Sequence, residues 1–213
     1  MLTLYDYLPS QNGYKIRVLL QHLGLHYRHE FISIFEGQGQ RPDYLAVNPT
    51  GAVPAIRLDD GFVLAESNAI LAFLGEDTPY LPADRRARAK VAQWMSFEAD
   101  YVQSTIGTLR HWIMTGKHAH RPRELLESKR AASLKSLRIL DRELATRPFV
   151  AGDTYTIADI SMFAYGSRAE EARLPLADFK NVGAWIARVK AQPGFLDEVY
   201  PYSIDPHSAN ELP

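Results

Sequence analysis

The sequence predicts a two-domain chain in which an α/β domain is followed by an all-α domain. The first observation is that residues 1–77 alternate short β-prone segments with helix-like segments. The second is that residues 85–200 carry apolar residues at helical spacing and no strand pattern. Between them lies the segment 78–84, TPYLPAD, which has two prolines and no periodicity and is therefore interpreted as a linker.

The elements of the α/β domain can be placed in order. Leu2–Tyr7 is apolar and β-prone and stops before Pro9. A helix follows, which Gly24 ends, because apolar residues recur at i, i+3, i+4 and i+7: Ile16, Leu19, Leu20 and Leu23. Five further elements follow. They are a strand (His26–Ile34), a short helix (Pro42–Val47), two strands (Val53–Leu58 and Phe62–Ala65) on either side of the turn Asp59-Asp60-Gly61, and a helix (Ser67–Leu74). The order βαβ, α, ββ, α predicts a mixed sheet covered by helices.

The second half contains only helix signals. Apolar residues from Ala92 to Ile113 step by three and four, which predicts one long helix. Three more helices are indicated by the same spacing: Leu134–Leu144, Thr156–Arg168 and Phe179–Ala191. The tail 201–213 is rich in proline and has no periodicity, so we expect it to wrap over the protein or to fray.

Composition excludes several classes of function. The chain has no cysteine, so it has no disulfide, no thiolate zinc site and no cysteine nucleophile; we expect no metal. Any thiol chemistry must use a sulfur that arrives on a ligand. The formal net charge of −1 argues against nucleic-acid binding, and no apolar run reaches the roughly 18 residues of a membrane span. The N-terminal residues do not have the pattern of a secretory signal, and the lack of cysteine is typical of cytosolic proteins, so we expect a cytoplasmic location.

The turn Pro9-Ser10-Gln11-Asn12-Gly13 lies between the first strand and the first helix. Backbone N–H groups and the dipole at a helix N-terminus favour an anion, and a thiolate is one such anion. Ser10 and Asn12 would add a hydroxyl and an amide donor there. The alternative is that one of these side chains only caps the helix.

Two further segments have polar or main-chain groups suited to a peptide ligand. Proline at the start of a strand, as in Val53-Pro54, indicates a sheet edge, a cis bond or a simple turn. A cis bond would leave the main chain of Val53 open to an extended peptide. Glu66-Ser67-Asn68 opens the third helix, where Ser67 could receive a carboxylate and Glu66 an amine. The alternative for that segment is an N-cap with a well-placed acid.

The segment from Gly152 to Asp159 is interpreted differently. Thr156, followed three residues later by Asp159, resembles a capping box that opens an apolar helix. We interpret it as a folding element and not as a site.

Together, in this order and spacing, these features resemble the cytosolic glutathione transferase superfamily over about residues 1–200. Val53-Pro54 matches the cis-proline position of the family, and Glu66-Ser67-Asn68-Ala69-Ile70 matches its Glu/Gln-Ser-x-Ala-Ile motif. The segment Gly152–Ile160 matches the N-capping segment of its helical domain. The resemblance implies a thioredoxin-like glutathione-binding domain at 1–77, an all-helical domain at 85–200 and a homodimer.

The resemblance also implies roles for individual residues. Glu66 and Ser67 would hold the γ-glutamyl end of glutathione. The main chain at Val53 and Pro54 would pair with its cysteinyl unit, and Gln38 would bind its glycine carboxylate. Serine-type members place a hydroxyl where Ser10 lies. Ser10-Gln11-Asn12-Gly13-Tyr14-Lys15 also resembles the Thr/Ser-Pro-Asn-Gly-x-Lys of the bacterial nu class, in which the asparagine helps to hold the sulfur; Gln11 replaces the proline. Tyrosine-type members use a phenol near the end of strand one, where Tyr5 and Tyr7 lie.

The activity implied is that of a glutathione transferase in detoxification, which activates the glutathione thiolate for attack on a small hydrophobic electrophile. Position alone suggests a second-substrate pocket lined by Tyr7, Tyr101, Arg110 and Trp112. Two alternatives stay open. One is a glutathione-dependent disulfide or peroxide reductase of nu-class type, and the other is a binding module that has lost turnover.

Overall fold

The computed structural model describes residues 1–212, and the chain divides into two compact units. The first unit combines Met1–Leu74 with the chain from Gly194 onward, and the second is Gly75–Pro193. The fold class is confirmed, because the first unit holds a four-stranded mixed sheet with helices and the second is helical. Residues 194–200 group with the first unit and not with the helices, since the tail packs on α/β elements.

The sheet of the first unit has the strand order β2-β1-β3-β4. Its elements are β1 (Leu2–Asp6), β2 (Tyr27–Phe31), β3 (Ala55–Arg57) and β4 (Val63–Ala65) with the helices α1 (Gln11–Leu23), α2 (Pro42–Leu45) and α3 (Ser67–Gly75). β1 runs parallel to β2, with Leu2 opposite Tyr27, and β3 is antiparallel to both of its neighbours. The central strand β1 is buried along its whole length, and the turn that follows it begins α1.

The turn between β1 and α1 is held by a buried ion pair. Asp6 is fully buried and pairs with Arg17, which also donates from Nη2 to the carbonyl oxygen of Leu8 at 2.9 Å. The carboxylate of Asp6 packs directly against Gly13, where a Cβ would lie 1.7 Å from Oδ1. Only glycine therefore fits at this position, which fixes the path of the chain into α1.

The second unit consists of helices. They are α4 (Arg85–Phe97), a π-helical segment (Glu98–Gly107), α5 (Thr108–Met114), α6 (Arg123–Leu144), α7 (Ile157–Gly166) and α8 (Lys180–Lys190). The long helix predicted around 92–113 is thus present as three consecutive helical segments. Short 3₁₀ turns occur in both units, at Gln38–Gln40, Lys117–His120, Ala169–Ala172, Leu176–Asp178 and Tyr202–Ile204.

The capping box that opens α7 is confirmed. Thr156 caps the helix, and the buried carboxylate of Asp159 accepts from the N–H of Thr156 at 3.0 Å. The same carboxylate accepts from the N–H of Val150 at 2.9 Å and from the indole N–H of Trp185 at 3.0 Å. Asp159 therefore joins a loop, the start of α7 and α8. Burial raises its pKa to about 6, against 3.8 for an ordinary aspartate.

The tail wraps over the first unit. The Tyr14 hydroxyl donates to the carbonyl of Leu196 at 2.5 Å, and the guanidinium of Arg17 lies 5.7 Å from the ring centre of Tyr200. Further along, the tail contacts the end of β1 and the loop after β2 through three pairs: Tyr202 with Tyr7, Asp205 with Ser33, and His207 with Glu36. Among residues 1–212, every helix is too short or too polar to cross a lipid bilayer.

Candidate active site

The N-terminus of α1 carries two half-exposed polar side chains, Ser10 and Asn12. Ser10 is the N-cap, and its Oγ accepts from the N–H of Gly13 at 3.3 Å. The cap uses an oxygen lone pair only, so the hydroxyl hydrogen of Ser10 can still be donated to a ligand. The capping role and a thiol-binding role are therefore compatible at this residue.

The N-terminus of α3 is formed by Glu66 and Ser67. Glu66 has a left-handed backbone with φ of 68°, which is uncommon for a residue other than glycine and is a form of strain often found at functional sites. Its carbonyl accepts from the N–H of Ile70 at 2.9 Å, while its exposed carboxylate has no partner within residues 1–212. This carboxylate is available to an amine, and Ser67 lies beside it as the first residue of the helix.

A hydrogen bond joins these two helix N-termini. The hydroxyl of Ser67 donates to Oδ1 of Asn12 at 3.3 Å, and the ammonium of Lys15 donates to Ser67 Oγ at 3.4 Å. Two motifs that are 55 residues apart in the chain therefore form one polar surface. In the sequence, Lys15 is recognisable only as part of a motif, and no local signal indicates that its ammonium lies at Ser67.

The third motif lies at the start of β3. The Val53-Pro54 peptide bond is cis, and Ala55 then begins β3 and pairs with both β1 and β4. Val53 precedes the strand, and neither its N–H nor its C=O forms a main-chain hydrogen bond to another part of residues 1–212. The main chain here can therefore pair with an extended ligand.

Gln38 is engaged within its own loop. Its Oε1 accepts from the N–H of Ser33 at 2.8 Å, and its Nε2 donates to the carboxylate of Glu36 at 3.1 Å. To bind the glycine carboxylate of glutathione, Gln38 would have to release these bonds. Gln40 is a candidate that the sequence analysis missed, because its exposed amide has no partner within residues 1–212 and lies against Gly51.

Tyr7 is completely buried. Its ring packs against Phe35, with centres 5.7 Å apart, and against Tyr202 of the tail. Burial and the neighbouring carboxylate of Asp205 raise the pKa of Tyr7 well above its usual range. The side chain is thus packed beneath the tail, which disfavours both a catalytic phenol and a pocket-lining role.

Replacing Tyr7 with phenylalanine is expected to leave thiol activation intact. Because the hydroxyl is buried on the side of the tail and forms no hydrogen bond within residues 1–212 that its removal would break, we expect kcat/KM for conjugation to change by less than about threefold and stability to change by less than about 1 kcal/mol. Steady-state kinetics and thermal unfolding measure both quantities. Tyr5→Phe tests the other phenol near the end of β1 and should likewise retain activity, and a tenfold loss of activity in either variant would restore a tyrosine-type mechanism.

The other residues suggested for a second-substrate pocket lie in the second unit. Arg110 is buried and donates to Glu171 at 2.6 Å, so its guanidinium is part of an interior ion pair and not of an open wall. Trp112 is half-buried with the guanidinium of Arg121 at 5.3 Å from its ring centre. Tyr101 is half-exposed and stacks on Phe97 at the edge of a cavity of about 410 Å³.

Two family models match this chain. Residues 9–77 match the glutathione S-transferase N-terminal domain, and residues 102–193 match the glutathione S-transferase C-terminal domain. Glutathione S-transferase D7 of Drosophila melanogaster is 30% identical over 201 residues, which are 91% of this chain and 87% of the relative. The chain belongs to the cytosolic glutathione transferase superfamily. Within residues 1–212 of this transferase-family chain, no group of three or more His, Asp or Glu side chains is placed to hold a metal.

Other members of the superfamily are similar over most of their length. The disulfide-bond oxidoreductase YfcG of Escherichia coli is 29% identical over 203 residues, 91% of this chain and 92% of the relative. The crystal structure of a glutathione S-transferase from Xanthobacter autotrophicus has a TM-score of 0.90 and 34% identity, and the match covers 96% of this chain and 99% of that one. A Burkholderia graminis glutathione transferase was crystallised with two glutathione molecules per subunit; it has a TM-score of 0.78 and 29% identity, with 91% and 85% covered.

Proposed function

We propose that this protein is a glutathione transferase that activates the thiol of glutathione at Ser10 and Asn12 and adds it to a small hydrophobic electrophile. The observation that carries the proposal is the hydrogen bond from Ser67 to Asn12. It joins the helix N-terminus suited to a carboxylate and the one suited to a thiolate, so the γ-glutamyl end and the cysteinyl sulfur of one short peptide can both be held within one unit.

Binding of glutathione would use three groups of this unit. The main-chain N–H of Ser67 and the other N–H groups at the N-terminus of α3 would receive the γ-glutamyl carboxylate, and the exposed carboxylate of Glu66 would receive the amine. The main chain of Val53 would pair with the cysteinyl unit. Gln40, or Gln38 after release from its loop, would receive the glycine carboxylate.

Activation of the thiol follows from the donors at the start of α1. Free thiols have a pKa near 8.5, so glutathione at neutral pH is mostly protonated. Hydrogen bonds from Ser10 and Asn12, together with the helix dipole, would favour the thiolate. A pKa lowered by one to two units, roughly 1.4–2.7 kcal/mol, makes the thiolate substantially populated. The sulfur then forms a C–S bond with the electrophile, which releases its leaving group or takes up a proton.

A second activity, reduction of disulfides, is favoured by the similarity to a disulfide-bond oxidoreductase and to a transferase that holds two glutathiones. The chain has no cysteine, so both sulfurs that become oxidised must belong to ligands. One glutathione thiolate attacks the disulfide RSSR and releases RS⁻, forming the mixed disulfide RSSG. A second glutathione thiolate attacks RSSG, releases the other RS⁻ and forms glutathione disulfide.

An ultraviolet difference titration of glutathione on the protein tests the shared step. Because the chain has no cysteine, a thiolate band near neutral pH comes from the ligand alone. We expect the bound thiol to titrate below free glutathione. Conjugation of chlorodinitrobenzene and reduction of hydroxyethyl disulfide then distinguish the two activities. No binding of glutathione would contradict both and leave a binding or assembly module.

We also propose a cytoplasmic homodimer. Phe62 and Phe73 form an exposed aromatic pair beside the edge strand β4, with ring centres 5.4 Å apart and more than two-fifths of each residue exposed. A second subunit would bury this apolar surface. Light scattering should give twice the mass of one chain for the wild type, and a monomeric mass at micromolar concentration would contradict the proposal.

A further inference from the structure

Lys15 is a buried cation at the candidate site. The residue lies in the first turns of α1 and has no exposed surface. Lysine is almost never fully buried unless its ammonium is paired, because removing the charge from water is costly. Its Nζ lies 3.4 Å from the hydroxyl oxygen of Ser67, and the proposed function assigns the main-chain N–H of Ser67 to the γ-glutamyl end of glutathione. It is the sole lysine in the first unit.

The hydrogen bonds that start from Lys15 have a defined direction. An ammonium group can only donate, so Ser67 Oγ accepts from Lys15. A serine hydroxyl has a single hydrogen, and that of Ser67 is donated to Oδ1 of Asn12 at 3.3 Å. The amide oxygen of Asn12 is thereby occupied on the side of Ser67. Its Nδ2 hydrogens are the groups left to donate to a ligand beside Ser10.

We propose that Lys15 is a positioning residue that fixes the hydrogen-bond sequence Lys15 to Ser67 to Asn12, so that Asn12 presents its amide N–H to the glutathione sulfur. The inference rests on the proposed function and deepens it. If Lys15 only filled space in α1, an uncharged side chain of similar size would leave the pKa of the bound thiol unchanged. Asn12 could then rotate its amide oxygen toward the sulfur and would repel a thiolate.

The test compares Lys15→Met with the wild type in the ultraviolet titration of bound glutathione. Methionine matches the unbranched chain of lysine as far as Cε and removes the ammonium donor. We expect the pKa of the bound thiol to rise by about 0.5–1 unit, which lowers the thiolate fraction about 2- to 9-fold at pH 6.5. Lys135→Met is the matched control, because Lys135 is exposed on α6 and has no partner within residues 1–212. That control should titrate like the wild type.

Two further variants separate positioning from a structural role. In an Asn12→Ala background, Lys15→Met should raise the thiol pKa no further, because the residue through which it acts is absent. Ser67→Ala keeps Lys15 and interrupts the sequence of bonds, so at saturating glutathione it should raise the thiol pKa as Lys15→Met does. This variant also decides the matter if Lys15→Met does not fold.

The outcomes separate the inference from the proposed function. A wild type that does not lower the thiol pKa overturns both. If the wild type lowers the thiol pKa and Lys15→Met or Ser67→Ala lowers it equally, the inference alone is overturned. A loss of thermal stability in Lys15→Met with an unchanged thiol pKa would likewise show that Lys15 is only structural.

Discussion

Replacing Asn12 with alanine is expected to lower the rate of glutathione conjugation by about 5- to 10-fold at pH 6.5. Asn12 lies at the N-terminus of α1, and its amide is oriented by Ser67. A hydrogen bond to a charged group contributes about 1.5 kcal/mol at the lower end of its usual range, which corresponds to about one of the one to two pKa units proposed for all the donors together. At a pH below that pKa, the thiolate fraction and the rate fall together. The pH–rate profile at saturating glutathione and the ultraviolet titration measure the same shift.

Ser10 gives a comparison in which catalytic and structural effects can be separated. Ser10→Ala removes a donor to the sulfur and also the cap at the N–H of Gly13, so it should lower both the rate and the stability, the latter by about 1 kcal/mol. Ser10→Thr keeps the hydroxyl and the cap and should retain most of both. Asn12→Ala removes the acceptor of the Ser67 hydroxyl and should also cost about 1 kcal/mol, so the comparison that isolates the hydroxyl is the one between Ser10→Ala and Ser10→Thr. If neither alanine variant shifts the thiol pKa, activation at this turn is refuted.

The largest effect on stability is expected at Asp159, in the second unit. Asp159→Ala removes a buried carboxylate that accepts hydrogen bonds from Thr156, Val150 and Trp185. Those donors would stay buried without partners, and we expect a loss of about 3–5 kcal/mol at pH 7.5. Urea unfolding measures this loss from the midpoint at a constant m-value. Asp153→Ala, an exposed acid in the same segment, is the control and should change stability by less than about 0.5 kcal/mol.

The effect of Asp159 also depends on pH. Burial raises its pKa from 3.8 to about 6, so the folded protein holds this proton more tightly than the unfolded chain does. The stability contributed by protonation is complete below about pH 4 and is lost as the pH rises through about 6. The difference in unfolding free energy between wild type and Asp159→Ala should therefore be about 1 kcal/mol wider at pH 5 than at pH 7.5. A difference that narrows toward pH 5 would contradict the raised pKa.

The elements of the first unit are predictable from the sequence because the patterns that indicate them are local. The strand pattern of Leu2–Tyr7, the apolar spacing around Ile16 and the glycine at 24 depend on neighbours within one or two turns. The structure places β1 at Leu2–Asp6 and gives Gly24 a left-handed backbone with φ of 62°. The capping box at Thr156 and Asp159 was found for the same reason, since both partners lie within one helical turn.

Local sequence patterns predict the two-unit fold class and identify Ser10, Asn12, Val53 and Ser67 as candidate site residues, because turn, cap and proline signals are carried by short segments. Which side chains meet depends on the tertiary structure. It joined Asn12 to Ser67 and Lys15, and it packed the tail over Tyr7. It also engaged Gln38 within its loop and paired Arg110 with Glu171. These contacts depend on partners far apart in the chain or on how a loop folds back. The periodicity of one segment indicates that a residue is buried, but it does not indicate which residues pack against it.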